Sequence, residues 1–185
     1  LKKIYFLVIS TLLITSLFAQ TTDKNRFEIK TNLINLIARG PSAGLEYRLG
    51  KNRSFMISLA SGKIDYGDFG GITWYKTSTF EFRKYSSDKI FFAGPYLKNI
   101  TKQIFWQTSV IAGIIPIGQD RNFIGNGVSA GATTGFKLPV SKKLKLEMSS
   151  QIGFGKYYKM SDKNNNLPSG NYLDARIALW LGFQF

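Results

Sequence analysis

Charged residues recur two apart along this chain: Glu46 and Arg48, Glu81 and Arg83, Lys145 and Glu147, Asp174 and Arg176. A spacing of two puts both members of each pair on one face of an extended strand. Four acids and four bases on such faces can neutralise one another inside a narrow polar lumen, where an unpaired charge would be costly. A second use of the same set is a narrow proton or ion path. Nucleophilic catalysis has little to work with. The chain has no His and no Cys, so a Ser–His or His–Asp mechanism lacks its base and a zinc site lacks its usual ligands. Asp65 and Asp68 come nearest to a carboxylate-only site, but they lie in the Gly/Asp-rich "GKIDYGDFGG", which reads as a solvated loop. No catalytic, cofactor or metal-binding residue is assigned, no cofactor is expected, and the chain reads as a non-enzyme.

Two motif matches carry no function. "GNGVSA" (Gly125 to Ala130) fits the loose dinucleotide fingerprint, but a strand follows it where a helix is required. "NIT" (Asn99 to Thr101) is a formal glycosylation sequon that needs a host able to modify it.

The elements that must position the charged pairs are strands, and no amphipathic helix is evident. "FEIKTNLINLIA" (Phe27 to Ala38) begins with Phe27, Ile29, Thr31 and Leu33 set against Glu28, Lys30 and Asn32. "AGLEYRLG", "SFMISLA", "ITWYKTSTFEFRKY", "IFFAGPYLK", "GVSAGATTGFKL", "LKLEMSSQIGFGKYY" and the closing "LDARIALWLGFQF" follow with the same period. Pro95 inside "IFFAGPYLK" predicts a bulge or a rim position. These strands predict an all-β, eight-stranded antiparallel up-and-down barrel. The apolar "IFWQTSVIAGIIPIG" (Ile104 to Gly118) either extends the fifth strand or adds a pair, which would make ten. Connections at 50–53, 86–89 and 139–143 are tight, and those at 62–71, 99–125 and 159–171 are long; only "RGPS" breaks the alternation.

Short turns on one side and long loops on the other suit a transmembrane barrel, whose apolar face meets lipid and whose polar face lines the lumen. Leu45, Tyr47, Phe55, Ile57, Leu146, Phe154, Leu179, Leu181 and Phe183 fall on the predicted outer face. Trp74, Tyr75, Tyr157, Tyr158 and Tyr172 near the long-loop ends, and Phe27, Tyr47, Phe136, Phe183 and Phe185 near the tight turns, read as two aromatic girdles. A soluble ligand-binding barrel is the rival architecture.

The opening residues support export. Lys2 and Lys3 precede an uncharged apolar run, Ile4 to Phe18, and Ala19 is small. This is the layout of a cleaved Sec signal peptide, too short for a membrane-spanning helix. Residues 1–19 are therefore expected to be leader and 20–185 a single barrel domain. With 25 basic and 11 acidic residues the chain is strongly basic, which favours anionic partners. Membrane lipid and lipopolysaccharide are expected, and nucleic acid is not, because basic and aromatic residues do not interleave on one face. A protein partner at loop 99–125 is the further expectation.

The closing segment resembles the C-terminal signal of outer-membrane β-barrel proteins, in which a final Phe and alternating apolar residues are read by the barrel-assembly machinery. Ile177, Leu179, Leu181, Phe183 and Phe185 match that pattern. "IKTNLINLI", "GLEYRLGKNRSF", "FEFRKYSSDKIFFAGPYLK" and "GVSAGATTGFKL" are similar to a family of small outer-membrane barrels known as a domain of unknown function. That resemblance implies an eight-stranded barrel in the bacterial outer membrane and no activity. The expected role is structural or loop-mediated recognition; the alternative is binding of a lipid or small hydrophobic ligand.

Overall fold

A computed structural model describes residues 26–65, 71–106, 109–111, 115–117, 121–162 and 170–185. The expected leader, 1–19, and the middle of the 159–171 loop lie outside the described residues.

The strands are β1 (Phe27–Asn32), β2 (Ser42–Arg48), β3 (Arg53–Asp65), β4 (Gly71–Tyr85), β5 (Phe91–Trp106), β6 (Ser109–Ile111), β7 (Ile115–Ile117), β8 (Arg121–Pro139), β9 (Leu144–Asp162) and β10 (Asn171–Gln184). A short helix, α1 (Leu33–Ile37), follows β1. Eight strands close a ring in the order β1-β10-β9-β8-β5-β4-β3-β2, every pair antiparallel. The fold is an all-β up-and-down barrel. Among the described residues β6 and β7 pair only with each other, between β5 and β8 in the sequence. The apolar segment after Ile104 thus does both things expected of it: it lengthens the fifth strand and forms a pair, but that pair stays out of the barrel.

The period of two is realised throughout. On β3, Ser54, Met56, Ser58 and Ala60 are buried while Phe55, Ile57 and Leu59 face outward. All nine residues expected on the outer face lie there, from Leu45 to Phe183, with Phe154 as much as 78 % exposed. The interior carries Glu, Lys, Arg and Ser side chains around a small apolar cluster of Met56, Ala178 and Trp180. Polarity is therefore inverted relative to a soluble sandwich.

Four expectations need correction. First, the stretch from Phe27 to Ala38 is not one strand. Asn32 ends β1 by capping α1, its Oδ1 accepting from Ile34 N at 3.1 Å. Second, the loops are shorter than read from composition: β3 and β4 run to Asp65 and from Gly71, β5 reaches Trp106, and β8 begins at Arg121. Polar residues in these extensions alternate with apolar ones and simply lengthen the wall. Third, Pro95 makes no bulge. The β4–β5 register is the same on either side of it, Glu81 opposite Tyr96 and Lys84 opposite Ala93, and its ring points outward. Fourth, of the five aromatics expected in the girdle near the long loops, only Trp74 and Tyr158 point outward. Tyr75, Tyr157 and Tyr172 share the parity of interior residues; the Tyr157 and Tyr172 rings lie 4.5 Å apart.

The wall is uneven. β8 and β9 each have 19 residues, roughly 60 Å at about 3.3 Å per residue, against 6 in β1 and 7 in β2. β1 pairs with β10 only as far as Asn32 opposite Trp180. Beyond that point α1 stands beside β10 in place of a strand. At the opposite end the 86–90 turn is tied by Asp88, which accepts from Ser86 Oγ and from Ile90 N at 3.0 Å. Those bonds, the Ser86 one foremost, hold its carboxyl below the ordinary carboxylate range.

Candidate functional site

The interior facing the short turns is a closed ionic network. Each member comes from a strand position of inward parity: Glu28 and Lys30 on β1, Glu46 on β2, Glu81 and Arg83 on β4, Lys137 on β8 and Glu147 on β9. All seven are buried. Arg83 lies at its centre. Its Nη1 donates to Glu147 Oε1 at 2.9 Å and to Glu46 Oε2 at 3.2 Å, and its Nη2 to Glu81 Oε2 at 2.8 Å. The guanidinium also stacks over Phe92, 4.3 Å from the ring centre. Lys30 Nζ sits among three carboxylates: Glu147, Glu46 at 2.5 Å and Glu28 at 3.4 Å. Lys137 Nζ donates to Glu46 at 2.8 Å and Glu28 at 3.1 Å. Ser54 and Tyr85 hydroxyls supply Glu46 Oε1, at 2.7 and 2.5 Å.

Such a network is tolerable in a buried site only because nearly every charge has an opposite charge and a hydrogen bond. Glu28, Glu46 and Glu147 bring carboxylate oxygens within 4.8 Å of one another, a spacing that a metal ion could use. Lys30 already fills that role. Its ammonium touches all three, and Lys137 adds a second cation, so the donor set does not fit a resident metal.

Toward the long loops the interior changes character. Asp174 on β10 accepts from Lys98 Nζ at 2.9 Å, Tyr96 OH at 2.8 Å and Ser129 Oγ at 2.5 Å. Both of its oxygens are thereby used. Arg176, two residues on, is half-buried and leans over Trp180 at 5.5 Å. Among the described residues it makes no ion pair, and its buried Nη2 has no hydrogen-bond partner.

Of the eight residues expected to line the lumen, Glu46, Glu81, Arg83, Glu147 and Asp174 are buried and hydrogen-bonded as just described. Arg176 is interior but unpaired. Arg48 and Lys145 have the right parity, but they lie at the strand ends near the short turns, are half-buried, and join no ion pair among the described residues. The sequence reading omitted Glu28, Lys30, Lys98 and Lys137. A signal for two of them existed, since Glu28 and Lys30 alternate with apolar residues in "FEIKTN". Glycines make the room these groups need. A Cβ on Gly155 would fall 2.2 Å from the Tyr172 ring, and one on Gly153 2.6 Å from the Tyr96 hydroxyl.

Residues 5–181 match the family described as Protein of unknown function (DUF3575). The chain belongs to this family. No curated protein matches it. The family description carries no ligand or reaction, so the interior itself must supply any functional reading.

Proposed function

We propose that the chain is a non-enzymatic outer-membrane β-barrel whose outer face meets lipid and whose lumen is closed by its own ion network, leaving the loops for structural or recognition roles. One observation carries this reading: the polarity is inside out. Leu45, Ile57, Phe80, Leu97, Val128, Ile152 and Ile177 are exposed on successive walls, Ile152 at 62 %, while Lys30, Arg83, Glu46 and Glu147 are buried. In water an apolar surface so extensive would be covered by a partner or would aggregate; a bilayer covers it. The long strands exceed the ~10 residues that cross a hydrocarbon layer.

The interior supports closure. Eight strands leave a lumen just wide enough for side chains to fill, and Arg83 with its carboxylates fills it. The signal-like opening run Lys2 to Ala19, the alternating Ile177 to Phe185 segment and the lack of His and Cys in the sequence are consistent with the proposed export, assembly and non-catalytic role. Lipopolysaccharide and membrane lipid are the proposed surroundings, and the barrel-assembly machinery the transient partner. Membrane fractionation joined to heat-modifiable gel mobility tests the reading. The folded barrel should sediment with outer membranes and change mobility on boiling. A soluble chain with unchanged mobility would overturn it.

A further inference from the structure

A cavity of about 330 Å³ lies where the wall is lowest, between α1 and the part of β10 that has no strand on its β1 side. At its outer rim Ile34 on the helix and Ile177 on β10 are both exposed; Ile64 and Ile100, at positions of inward parity, line it further in beside Asn35, Tyr75 and Thr77. Its inner end is polar, formed by Lys98, Asp174 and Arg176. The cavity therefore runs from the outer surface of the barrel to its charged interior.

At the inner end one cation has no hydrogen-bonded acid beside it among the described residues. Asp174 is committed to Lys98, Tyr96 and Ser129. Glu81, the other acid on this side, is held by Arg83 and by Gln151 Nε2 at 3.0 Å. Arg176 is left with a buried, unpartnered Nη2. A buried donor without a partner is costly and rare, and a guanidinium beside one is shaped for a planar, two-oxygen acceptor.

We propose that this cavity binds a long-chain carboxylate, its head group on Arg176 and its chain passing between α1 and β10. A single guanidinium with one unpartnered edge fits one carboxylate head. A volume near the lower end of the range for small-molecule sites fits a carboxylate head with the first part of one chain, and is small for a phospholipid head with two. The inference rests on the membrane reading, because the chain is supplied from, and remains partly in, the hydrocarbon layer. Exposure of Ile34, Leu36 and Ile37 on α1 places an apolar helix face beside the entrance.

The test uses the full barrel in phosphatidylcholine vesicles, its folding checked by heat-modifiable mobility, with cis-parinaric acid as fluorescent probe. Saturable binding is expected, displaced by palmitate but not by methyl palmitate. Arg176→Gln should weaken it about tenfold or more, as loss of a charged hydrogen bond does, and Arg176→Lys less. Ala38→Phe, which puts a ring on the cavity wall and leaves the Arg176 charge in place, should also weaken it. Lys84→Gln, on the exposed face near the short turns, should not. Equal displacement by the ester overturns the anion assignment. Stronger displacement by phosphatidic acid than by palmitate assigns the site to a lipid phosphate and overturns the carboxylate. Unchanged binding in folded Arg176→Gln overturns the residue assignment; if that variant does not fold, the ester and Ala38→Phe arms decide. A folded barrel that binds no probe overturns the inference alone. A chain that does not enter vesicles overturns the membrane reading with it.

Discussion

Lys30→Met isolates the contribution of one buried charge. The side chain is fully buried, and its ammonium contacts Glu28, Glu46 and Glu147. In the native network four acids, Glu28, Glu46, Glu81 and Glu147, face three bases, Lys30, Arg83 and Lys137. Methionine has similar volume, so packing changes little, but four acids are left with two bases. Removing one partner of a buried ion pair costs about 3–5 kcal/mol, because the remaining charge is uncompensated. That corresponds to a fall of roughly a hundred- to several-thousand-fold in the folded-to-unfolded ratio. At an m-value near 2 kcal/mol per molar, the urea midpoint should drop by about 2 M. Adding Glu147→Gln restores the native imbalance of a single extra acid, and the amide oxygen can still accept from Arg83. The double variant should recover part of the loss. Refolding into vesicles across a urea gradient, read by gel mobility, measures both. A single variant within about 0.5 kcal/mol of the native protein, the usual range for surface changes, would refute the reasoning. So would a double variant no more stable than the single one.

The other predictions follow from the same geometry. Leu179→Arg, on the outer face of β10, should cost about 2–4 kcal/mol at the bilayer midplane, while Ser141→Arg in the turn after β8 should be tolerated; refolding yield into vesicles compares them. Gly155→Leu should displace the Tyr172 ring and destabilise by about 1–3 kcal/mol in the same urea assay. Planar bilayers with the native protein should show no steady large-conductance openings, since Arg83 and its partners fill the lumen. With the long loops facing outside the cell and the short turns facing the periplasm, an epitope tag at Asn165 should label intact cells and one at Asn52 only permeabilised cells; reversed labelling would invert that orientation.

The barrel was legible because a strand with one apolar face announces itself by period alone. β3 from Ser54 to Ala60 and β10 from Leu173 to Phe183 carry that pattern without interruption; at the long-loop ends, where Tyr157 and Tyr172 turn inward, the period was not enough to give the facing. Where the period breaks, sequence failed. "LINLIA" is rich in strand formers, yet Asn32 caps a helix there, and Asn35 Nδ2 donates to Gly40, Pro41 and Ser61 carbonyls within 3.1 Å. These tertiary acceptors leave no trace in local propensity. The ionic core was half legible. Glu81, Arg83 and Glu147 sit in clean alternation, but Lys137 lies near the end of a strand whose preceding alternate positions are Gly, Ser and Thr, and Lys98 lies in a strand that contains Pro95, so neither stood out. Parity also misled at the strand ends: Arg48 and Lys145 point inward where the barrel is already open to solvent. The unpaired state of Arg176 depends on which oxygens Asp174 and Glu81 have already committed, which only the closed ring determines.

The inside-out assignment is the central claim, and the absence of Cys makes it directly measurable. Single cysteines replacing Leu45, Ile57, Leu97, Val128, Ile152 and Leu179 place a bimane probe on successive outer walls of the barrel in vesicles. Every probe should be quenched by lipids brominated on their acyl chains and be insensitive to aqueous iodide. Iodide quenching around the ring, with no effect of the brominated lipids, would contradict the account.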